Sequence, residues 1–174
     1  PCAEACHPLY CPAMVTLLAA SPGTPARHEP PDRLEALLAS GETVWLDLEA
    51  PTEDERAVLT RVFGFHALAI EACVAAANHP RVDDYGAYLY LVVHGVARAD
   101  ARGALETAEI DCFLGASYVV TYHDAPLANV QEIRRRCLEV PGFMARGADW
   151  LLHALVDALA DTFLELIETF DEEV

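Results

Sequence analysis

Apolar and polar positions in the first part of the chain form patterns that predict two strands with a short helix between them. Residues 14–20 (MVTLLAA) form an apolar run that is typical of a strand. Residues 31–41 (PDRLEALLASG) predict a short helix that ends at its final glycine. Residues 43–50 (TVWLDLEA) alternate cleanly and predict a half-buried strand, with Asp47 and Glu49 opposite the aliphatic side chains.

The next part of the chain changes from helical to strand-like periodicity. In residues 51–64 (PTEDERAVLTRVFG), Thr52 and Glu55 have the spacing of a capping box, which predicts the start of a helix. Residues 66–77 (HALAIEACVAAA) predict a second helix. Residues 82–96 (VDDYGAYLYLVVHGV) are apolar on both faces, which predicts a central strand in a sheet that is covered on both sides.

A hairpin and two helices are predicted for the second half of the chain. Residues 109–115 (EIDCFLG) and 117–124 (SYVVTYHD) have the pattern of two antiparallel strands joined by a tight turn. Residues 126–140 predict a helix that ends before a Pro-Gly pair. Because strands and helices mix in order, the predicted fold class is α/β, with a mixed β-sheet sandwiched between helical layers and a long helix after it.

The long terminal helix carries two stripes of side chains. Its apolar residues step by four and three, as in a heptad seam. They are Leu152, Val156, Leu159, Phe163, Leu166 and Phe170. A second stripe is acidic and consists of Asp157, Asp161, Glu165, Glu168 and Glu172. Like charges at these separations are neighbours on a helix and cost about 0.2–0.5 kcal/mol per pair.

The acidic stripe indicates that this helix does not function alone. Acids at the end of the stretch also oppose the helix dipole, so we expect the helix to continue beyond Val174 in the parent protein. We expect the stripe to face cations, either side chains of a partner or metal ions, although a solvated face is the alternative. Mg²⁺ suits such a stripe because it prefers carboxylates and keeps several waters.

Length and charge restrict the classes of protein and of partner. The chain has 174 residues, 53% of them hydrophobic, which predicts one folded domain. Its formal net charge is −17 and all 11 basic residues are arginine, so nucleic acid and an anionic membrane surface are not expected partners. No apolar run approaches the ~20 residues of a transmembrane helix, and no secretory signal pattern is present. We therefore expect no membrane contact from this part of the chain.

The cysteines indicate a reducing cytoplasm rather than a disulfide framework. Cys2, Cys6, His7 and Cys11 are residue types of a soft-metal site, but their spacing does not match paired C-x-x-C knuckles. We therefore expect residues 1–12 to be a disordered leader, with structural zinc as the alternative.

Residues that could form a nucleophilic catalytic site occur without a motif that joins them. Cys112, His94 and His123 are predicted near or within strands, and Asp124 follows the last one. No nucleophile elbow, phosphate loop or G-x-G-x-x-G supports a catalytic role. We interpret the thiols as small buried hydrophobic groups and expect no enzyme; a freestanding α/β enzyme remains the alternative from another class.

Three segments together resemble the cytoplasmic N-terminal domain of the CorA magnesium and cobalt transporters. They are residues 45–72 (WLDLEAPTEDERAVLTRVFGFHALAIEA), 79–93 (HPRVDDYGAYLYLVV) and 147–174 (GADWLLHALVDALADTFLELIETFDEEV). The resemblance implies an α/β cytoplasmic domain over residues 13–146 and the start of a long stalk helix over residues 147–174. The pore, with its Gly-Met-Asn signature, lies downstream in that family and is absent from this sequence.

The resemblance also implies a function, a location and an assembly. The chain is expected to be a regulatory, metal-sensing domain of a homopentameric Mg²⁺/Co²⁺ channel at the cytoplasmic face of the inner membrane. Divalent cations bound between protomers are expected to hold the channel shut. The zinc-transporting branch shares this architecture, so a Zn²⁺ transporter is the alternative within the superfamily.

The family's inter-protomer metal site maps onto acidic residues of two predicted helices. Asp157 matches the position on the stalk helix, and Glu71 matches the first acid of a pair on the helix at residues 66–77. Ala72 stands where the family has the second acid, and Asp161 is the neighbouring carboxylate that could compensate. The resemblance therefore implies that Mg²⁺, or Co²⁺ or Zn²⁺, is a regulatory ion held by Asp157, Glu71 and Asp161.

Overall fold

A mixed sheet between helices forms the body of the protein in the computed structural model, which describes residues 14–75, 78–99 and 105–172. The strands are β1 (Met14–Ala20), β2 (Arg27–Glu29), β3 (Thr43–Glu49), β4 (Arg81–Asp84), β5 (Leu89–Ala99), β6 (Leu105–Leu114) and β7 (Tyr118–His123). The helices are α1 (Leu34–Ser40), α2 (Glu53–Arg56), α3 (Val58–Arg61), α4 (Ala67–Ala75), α5 (Ala128–Glu139) and α6 (Ala148–Glu172), with 3-10 turns at Pro31–Arg33 and Met144–Arg146. The predicted leader 1–12, with its cysteines and histidine, lies outside the described residues.

The seven strands follow the order β2-β1-β3-β7-β6-β5-β4. β3 and β7 run parallel at the centre of the sheet. The remaining neighbouring pairs of strands are antiparallel, including the predicted hairpin of β6 and β7. The sheet is therefore mixed, as predicted.

Side-chain alternation along the strands builds a separate hydrophobic core on each face of the sheet. One core packs the sheet against α5 and α6, and Trp45, Ile110 and Val119 belong to it. The other core packs the sheet against α1, α3 and α4, and Leu46 and Phe113 belong to it. This arrangement confirms the predicted α/β class. The long helix predicted after the sheet is also present, as α6. No helix in the described segments is both long and apolar enough to cross a lipid bilayer.

The prediction of a half-buried strand at residues 43–50 is wrong. Strand β3 lies between β1 and β7, and helices cover both faces of the sheet. As a result, Asp47 and Glu49 are only 1% and 3% exposed. Alternation here separates two buried faces, so the polar side chains of β3 need internal partners.

The single central strand predicted for residues 82–96 is also wrong. The segment forms β4, a turn and β5, and β4 is an edge strand. Gly86 adopts a positive φ of 77° in the turn, and its N–H donates to the Asp84 carboxylate over 2.7 Å. The two-faced apolar pattern belongs to β5, where Val92 packs in one core and Leu91 packs against the other.

The predicted capping box is present, but the helix that it starts is short. The Thr52 hydroxyl accepts from the Glu55 backbone N–H over 3.3 Å, and the Glu55 carboxylate accepts from the Thr52 N–H over 2.8 Å. The chain then continues as two short helices, α2 and α3, rather than one. The side chain of Leu59 on α3 is fully buried in the core beneath these helices.

Helix α6 approaches strand β5 closely at Gly95. A Cβ atom added there would lie 2.6 Å from a methyl carbon of Leu159 and 3.8 Å from one of Leu127. Leu159 is 2% exposed, so its side chain has little room to move away. The missing side chain at Gly95 therefore sets how near α6 lies to the sheet.

We predict that Gly95→Ala destabilises the protein by about 1–3 kcal/mol, because the new methyl group overpacks the core. Urea unfolding would measure this loss. Leu159→Ala alone leaves a cavity and costs about 2–5 kcal/mol. In the double variant the new methyl group has room, so the two losses should fall short of additivity by about 0.5–3 kcal/mol. Strict additivity would show that Gly95 and Leu159 do not oppose each other.

Candidate functional site

The acidic residues that the sequence singles out lie on the outer surfaces of two helices. Asp157 and Asp161 are exposed on α6, and Glu71 is exposed on α4. Four residues separate the two aspartates, so they are neighbours on one side of α6. All three carboxylates are therefore accessible to an ion or to another polypeptide.

The sheet separates the two helices that carry these acids. Helix α6 buries Leu155 in the core on one face of the sheet, whereas α4 buries Cys73 in the core on the other face. Glu71 and Asp157 therefore cannot hold the same ion within one chain. Across the described part of the chain, no three His, Cys, Asp or Glu side chains are grouped so that they could hold a metal ion.

The exposed side of α4 is partly apolar. We call the residues Leu68, Glu71 and Val74 the α4 outer face; Leu68 is 63% exposed and Val74 is 48% exposed. Spacings of three place these side chains together on one side of the helix. Ala72 is half-buried and packs against the core instead. A carboxylate flanked by exposed aliphatic groups is a surface suited to contact with another protein.

A polar contact fixes α6 beside its two exposed aspartates. The Asn129 side-chain amide, on α5, donates to the backbone carbonyl oxygen of Ala158 and to the hydroxyl oxygen of Thr162. The Thr162 hydroxyl in turn donates to the same carbonyl over 3.1 Å. This contact joins α5 to the turn of α6 that contains Asp157 and Asp161.

A charged cluster lies buried beneath α5, on the same face of the sheet as α6. We call it the Asp47 cluster; it consists of Trp45, Asp47, Thr121, His123 and Arg134. The Asp47 carboxylate accepts hydrogen bonds from Thr121, from His123 over 3.1 Å and from the Arg134 guanidinium. The Trp45 indole N–H donates to the Thr121 hydroxyl oxygen over 3.0 Å. These bonds connect strands β3 and β7 to helix α5.

The contacts of His123 require a positively charged imidazole. Its Nδ1 lies 2.7 Å from the carbonyl oxygen of Ala125, and its Nε2 lies 3.1 Å from a carboxylate oxygen of Asp47. Both neighbours are acceptors, so both ring nitrogens carry protons. Burial acts to lower the pKa of His123, but the hydrogen bond and charge of Asp47 raise it above 6.5. Burial acts to raise the pKa of Asp47, but its partners, His123 foremost, hold it below 3.8.

Sequence reasoning missed the Asp47 cluster. In the arginine run of α5, Arg135 contacts its helix neighbours Glu132 and Glu139. Arg134 instead pairs with Asp47, 87 residues away along the chain. The sequence does contain a signal for this cluster: β3 and β7 are apolar strands, and each carries two polar residues at alternate positions. Their spacing along the chain, however, does not show that β3 and β7 lie side by side and parallel.

The residues considered for a nucleophilic site do not form one. Burial raises the pKa of the Cys73 and Cys112 thiols, and that of Cys137 to about 12, so all three remain neutral thiols. Among the described hydrogen bonds, none joins a cysteine to a histidine. His94 contacts a backbone carbonyl oxygen through Nε2, and His123 belongs to the Asp47 cluster. The thiols are buried, as the sequence predicted.

The fold matches that of a CorA soluble domain and of a ZntB cytoplasmic domain. Its TM-score is 0.73 with the soluble domain of CorA from Methanocaldococcus jannaschii, at 11% identity over 92% of this chain and 61% of that chain. Its TM-score is 0.69 with the cytoplasmic domain of ZntB from Vibrio parahaemolyticus RIMD 2210633, at 15% identity over 90% and 62% of the two chains. These similarities define the class of fold.

Sequence similarity identifies the family. The model of the family described as CorA-like Mg2+ transporter protein matches residues 40–174. YfjQ of Bacillus subtilis (strain 168) is 30% identical over 130 residues, which cover 75% of this chain and 40% of YfjQ. The chain belongs to the CorA-like Mg²⁺ transporter family, which consists of transporters rather than enzymes. The predicted resemblance is confirmed, and the chain spans less than half of YfjQ.

We predict that Asp47→Asn destabilises the fold by about 3–5 kcal/mol, because it leaves the buried charges of His123 and Arg134 without their counter-charge. Chemical unfolding at neutral pH would measure the loss. Glu132→Gln is the matched control, since it breaks an exposed ion pair on the same helix and should leave stability unchanged within error. Equal effects of the two substitutions would contradict the assigned role of the Asp47 cluster.

The difference in stability between wild type and Asp47→Asn should depend on pH. His123 has a raised pKa, so its stabilising contribution is complete below 6.5 and is lost as pH rises through the folded-state value. Asp47 has a lowered pKa, so its contribution is present above 3.8 and is lost as pH falls through the folded-state value. The difference should therefore be largest between these two ordinary pKa values. A difference that is flat with pH would show that His123 is not charged.

Proposed function

We propose that this chain is the cytoplasmic metal-sensing domain of a CorA-type divalent-cation channel, and that its regulatory Mg²⁺ binds between neighbouring copies. The observation that carries this proposal is the placement of the candidate ligands. Glu71 and Asp157 are both exposed, yet the sheet separates them. A site that uses both needs α4 of one copy and α6 of another.

Electrostatics supports a cation at such an interface. The chain carries a formal net charge of −17, so two copies repel each other at contacts that bring carboxylates together. Mg²⁺ keeps several waters and binds through one or two carboxylates, so Asp157 and Glu71 are sufficient, with Asp161 one helical turn away. In this proposal, high Mg²⁺ favours the closed assembly and loss of Mg²⁺ loosens it.

The exposed aliphatic side chains of the α4 outer face also favour contact between α4 of one copy and α6 of another. Leu68 and Val74 flank Glu71 and leave aliphatic surface exposed, which contact with a neighbouring copy would cover. A contact between two different surfaces is heterologous, and repeated around an axis it closes a ring. A homopentamer at the inner membrane is the ring that we propose, with membrane contact through a segment that follows α6.

The same domain of a zinc-transporting relative is the second candidate, and the similarity in fold to the ZntB cytoplasmic domain is consistent with it. The ligand types favour magnesium over zinc. The proposed ligands are all carboxylates, whereas protein zinc sites use mainly His and Cys ligands. Calorimetric titration with Mg²⁺, Co²⁺ and Zn²⁺ would rank the three ions directly.

We predict that Mg²⁺ promotes self-association of this chain, and that Glu71→Gln and Asp157→Asn each abolish it. Mixing the two variants should restore Mg²⁺-dependent pairing. A contact between α4 of the Asp157→Asn chain and α6 of the Glu71→Gln chain has both ligands, whereas the opposite orientation has neither, so mixed pairs should form rather than closed rings. Sedimentation velocity with and without MgCl₂ would measure these species.

Asp149→Asn is the control, since it removes an exposed carboxylate at the start of α6, away from the proposed site. It should associate as the wild type does. If Mg²⁺ drives association equally in Asp157→Asn and wild type, Asp157 is not a ligand. If the mixture of variants stays monomeric while the wild type associates, the two residues do not contribute to one shared site.

A further inference from the structure

A cavity of about 380 Å³ lies at the carboxyl end of β7 and is separate from the proposed metal site. It is lined by Cys73, His94, Thr107, Ala108, Glu109, Asp111, Tyr122, His123, Asp124 and Ala125. The helix that follows β7 packs on one face of the sheet, and the helices that follow its parallel neighbour β3 pack on the other. Ligands of open α/β sheets bind at the carboxyl ends of strands where the connections diverge in this way.

Asp111 is the buried charged group in this cavity. It is 2% exposed, and the Tyr90 hydroxyl donates to its Oδ1. Tyr90 is the one hydrogen-bond donor that the described residues supply to this carboxylate, and Oδ2 has none. Burial raises the pKa of Asp111 to about 6. The charges of Glu109 and Asp124 act in the same direction, whereas the Tyr90 hydrogen bond and the charge of Arg81 oppose them.

The remaining polar groups of the wall already have partners. The Glu109 carboxylate accepts from the backbone N–H and the side-chain amide of Asn78, each over 2.7 Å. His94 Nε2 lies 2.9 Å from the carbonyl oxygen of Asn78, and His123 belongs to the Asp47 cluster. Among the described residues of the wall there is neither lysine nor arginine. Among the described groups of the wall, Asp111 is thus the buried carboxylate with one described donor, the Tyr90 hydroxyl.

We propose that this cavity binds a small organic ammonium ion. The ammonium group donates a hydrogen bond to the carboxylate of Asp111 and places a positive charge beside it. A short aliphatic body lies against Ala108, Tyr122 and Ala125. The volume is at the lower end of the ~300–1,000 Å³ that small-ligand pockets occupy, so the ligand is compact.

An organic cation fits this cavity better than a bare metal ion does. Among the described residues of the wall, no three carboxylate or imidazole side chains lie close enough together to coordinate a metal ion. Charge-assisted hydrogen bonds to a buried carboxylate need one well-placed donor, and an ammonium group offers up to three. The proposed site therefore differs from the Mg²⁺ site in both location and ligand chemistry.

The test is a titration of the 174-residue chain with n-butylammonium chloride, followed by the ¹³Cγ resonance of Asp111. We expect a saturable shift that 1-butanol, the uncharged analogue, does not produce. Only the ionised carboxylate binds, so with a pKa of about 6 the dissociation constant should rise about tenfold from pH 7 to pH 5.

Asp111→Asn should weaken binding at least about tenfold. Asp54→Asn, which removes an exposed carboxylate outside the cavity, should bind as the wild type does.

Several other charged groups lie near Asp111, so the decisive measurement is the resonance of Asp111 itself. Glu109, Tyr90, Arg81, Cys73 and Asp124 face it from the surrounding elements, and His94 and His123 line the same cavity. A pH profile alone therefore does not assign the site.

Two results would overturn the proposal: an unchanged Asp111 resonance at the highest butylammonium concentration, or equal binding by Asp111→Asn and wild type. Displacement of butylammonium by MgCl₂ at equal ionic strength would also overturn it, by identifying an inorganic ion as the ligand. Asp124→Asn should weaken binding several-fold. It provides the second variant if Asp111→Asn fails to fold, and unchanged binding by it would count against the proposal.

Discussion

The structure depends on the neutralisation of one buried carboxylate, that of Asp47. Strand β3 occupies the middle of a sheet that is covered on both faces, so this charge has no access to water. His123 and Arg134 supply two positive charges, from the neighbouring strand and from helix α5. An unpaired buried charge costs several kcal/mol, so β3, β7 and α5 must form together. Because Asn129 of α5 contacts α6, the orientation of the long helix depends on the same cluster.

The sheet that this cluster holds together also separates the acidic residues on which the proposed function depends. It places the exposed acids of α6 on one side and Glu71 of α4 on the other, so a single chain presents two incomplete halves of the proposed site. In this proposal Mg²⁺ binds only where two copies meet, because each copy supplies one half. The electrostatic repulsion of an acidic chain then becomes the force that Mg²⁺ opposes.

Sequence patterns correctly predicted the elements that are determined by residues close together in the chain. The capping box at Thr52, the hairpin of β6 and β7 and the long helix were predicted because they depend on near neighbours in the chain. The two-sided burial of β3 and the pairing of Arg134 with Asp47 were not, because both depend on which distant strand lies alongside. Within the candidate metal site, periodicity selected Asp157 and Asp161, whereas Glu71 came from the family resemblance. The Asp111 cavity has no sequence signal, since it is formed by several separate elements.

The central claim is that one ion is shared by Glu71 of one copy and Asp157 of another. Paramagnetic Mn²⁺, which takes the same oxygen ligands as Mg²⁺, tests it most directly in a mixture of isotope-labelled and unlabelled chains. The labelled chain carries Glu71→Gln and so contributes only α6. The account predicts broadening of α6 resonances around Asp157 when the unlabelled partner retains Glu71, and much weaker broadening when the partner also carries Glu71→Gln. Equal broadening with both partners would contradict a shared site.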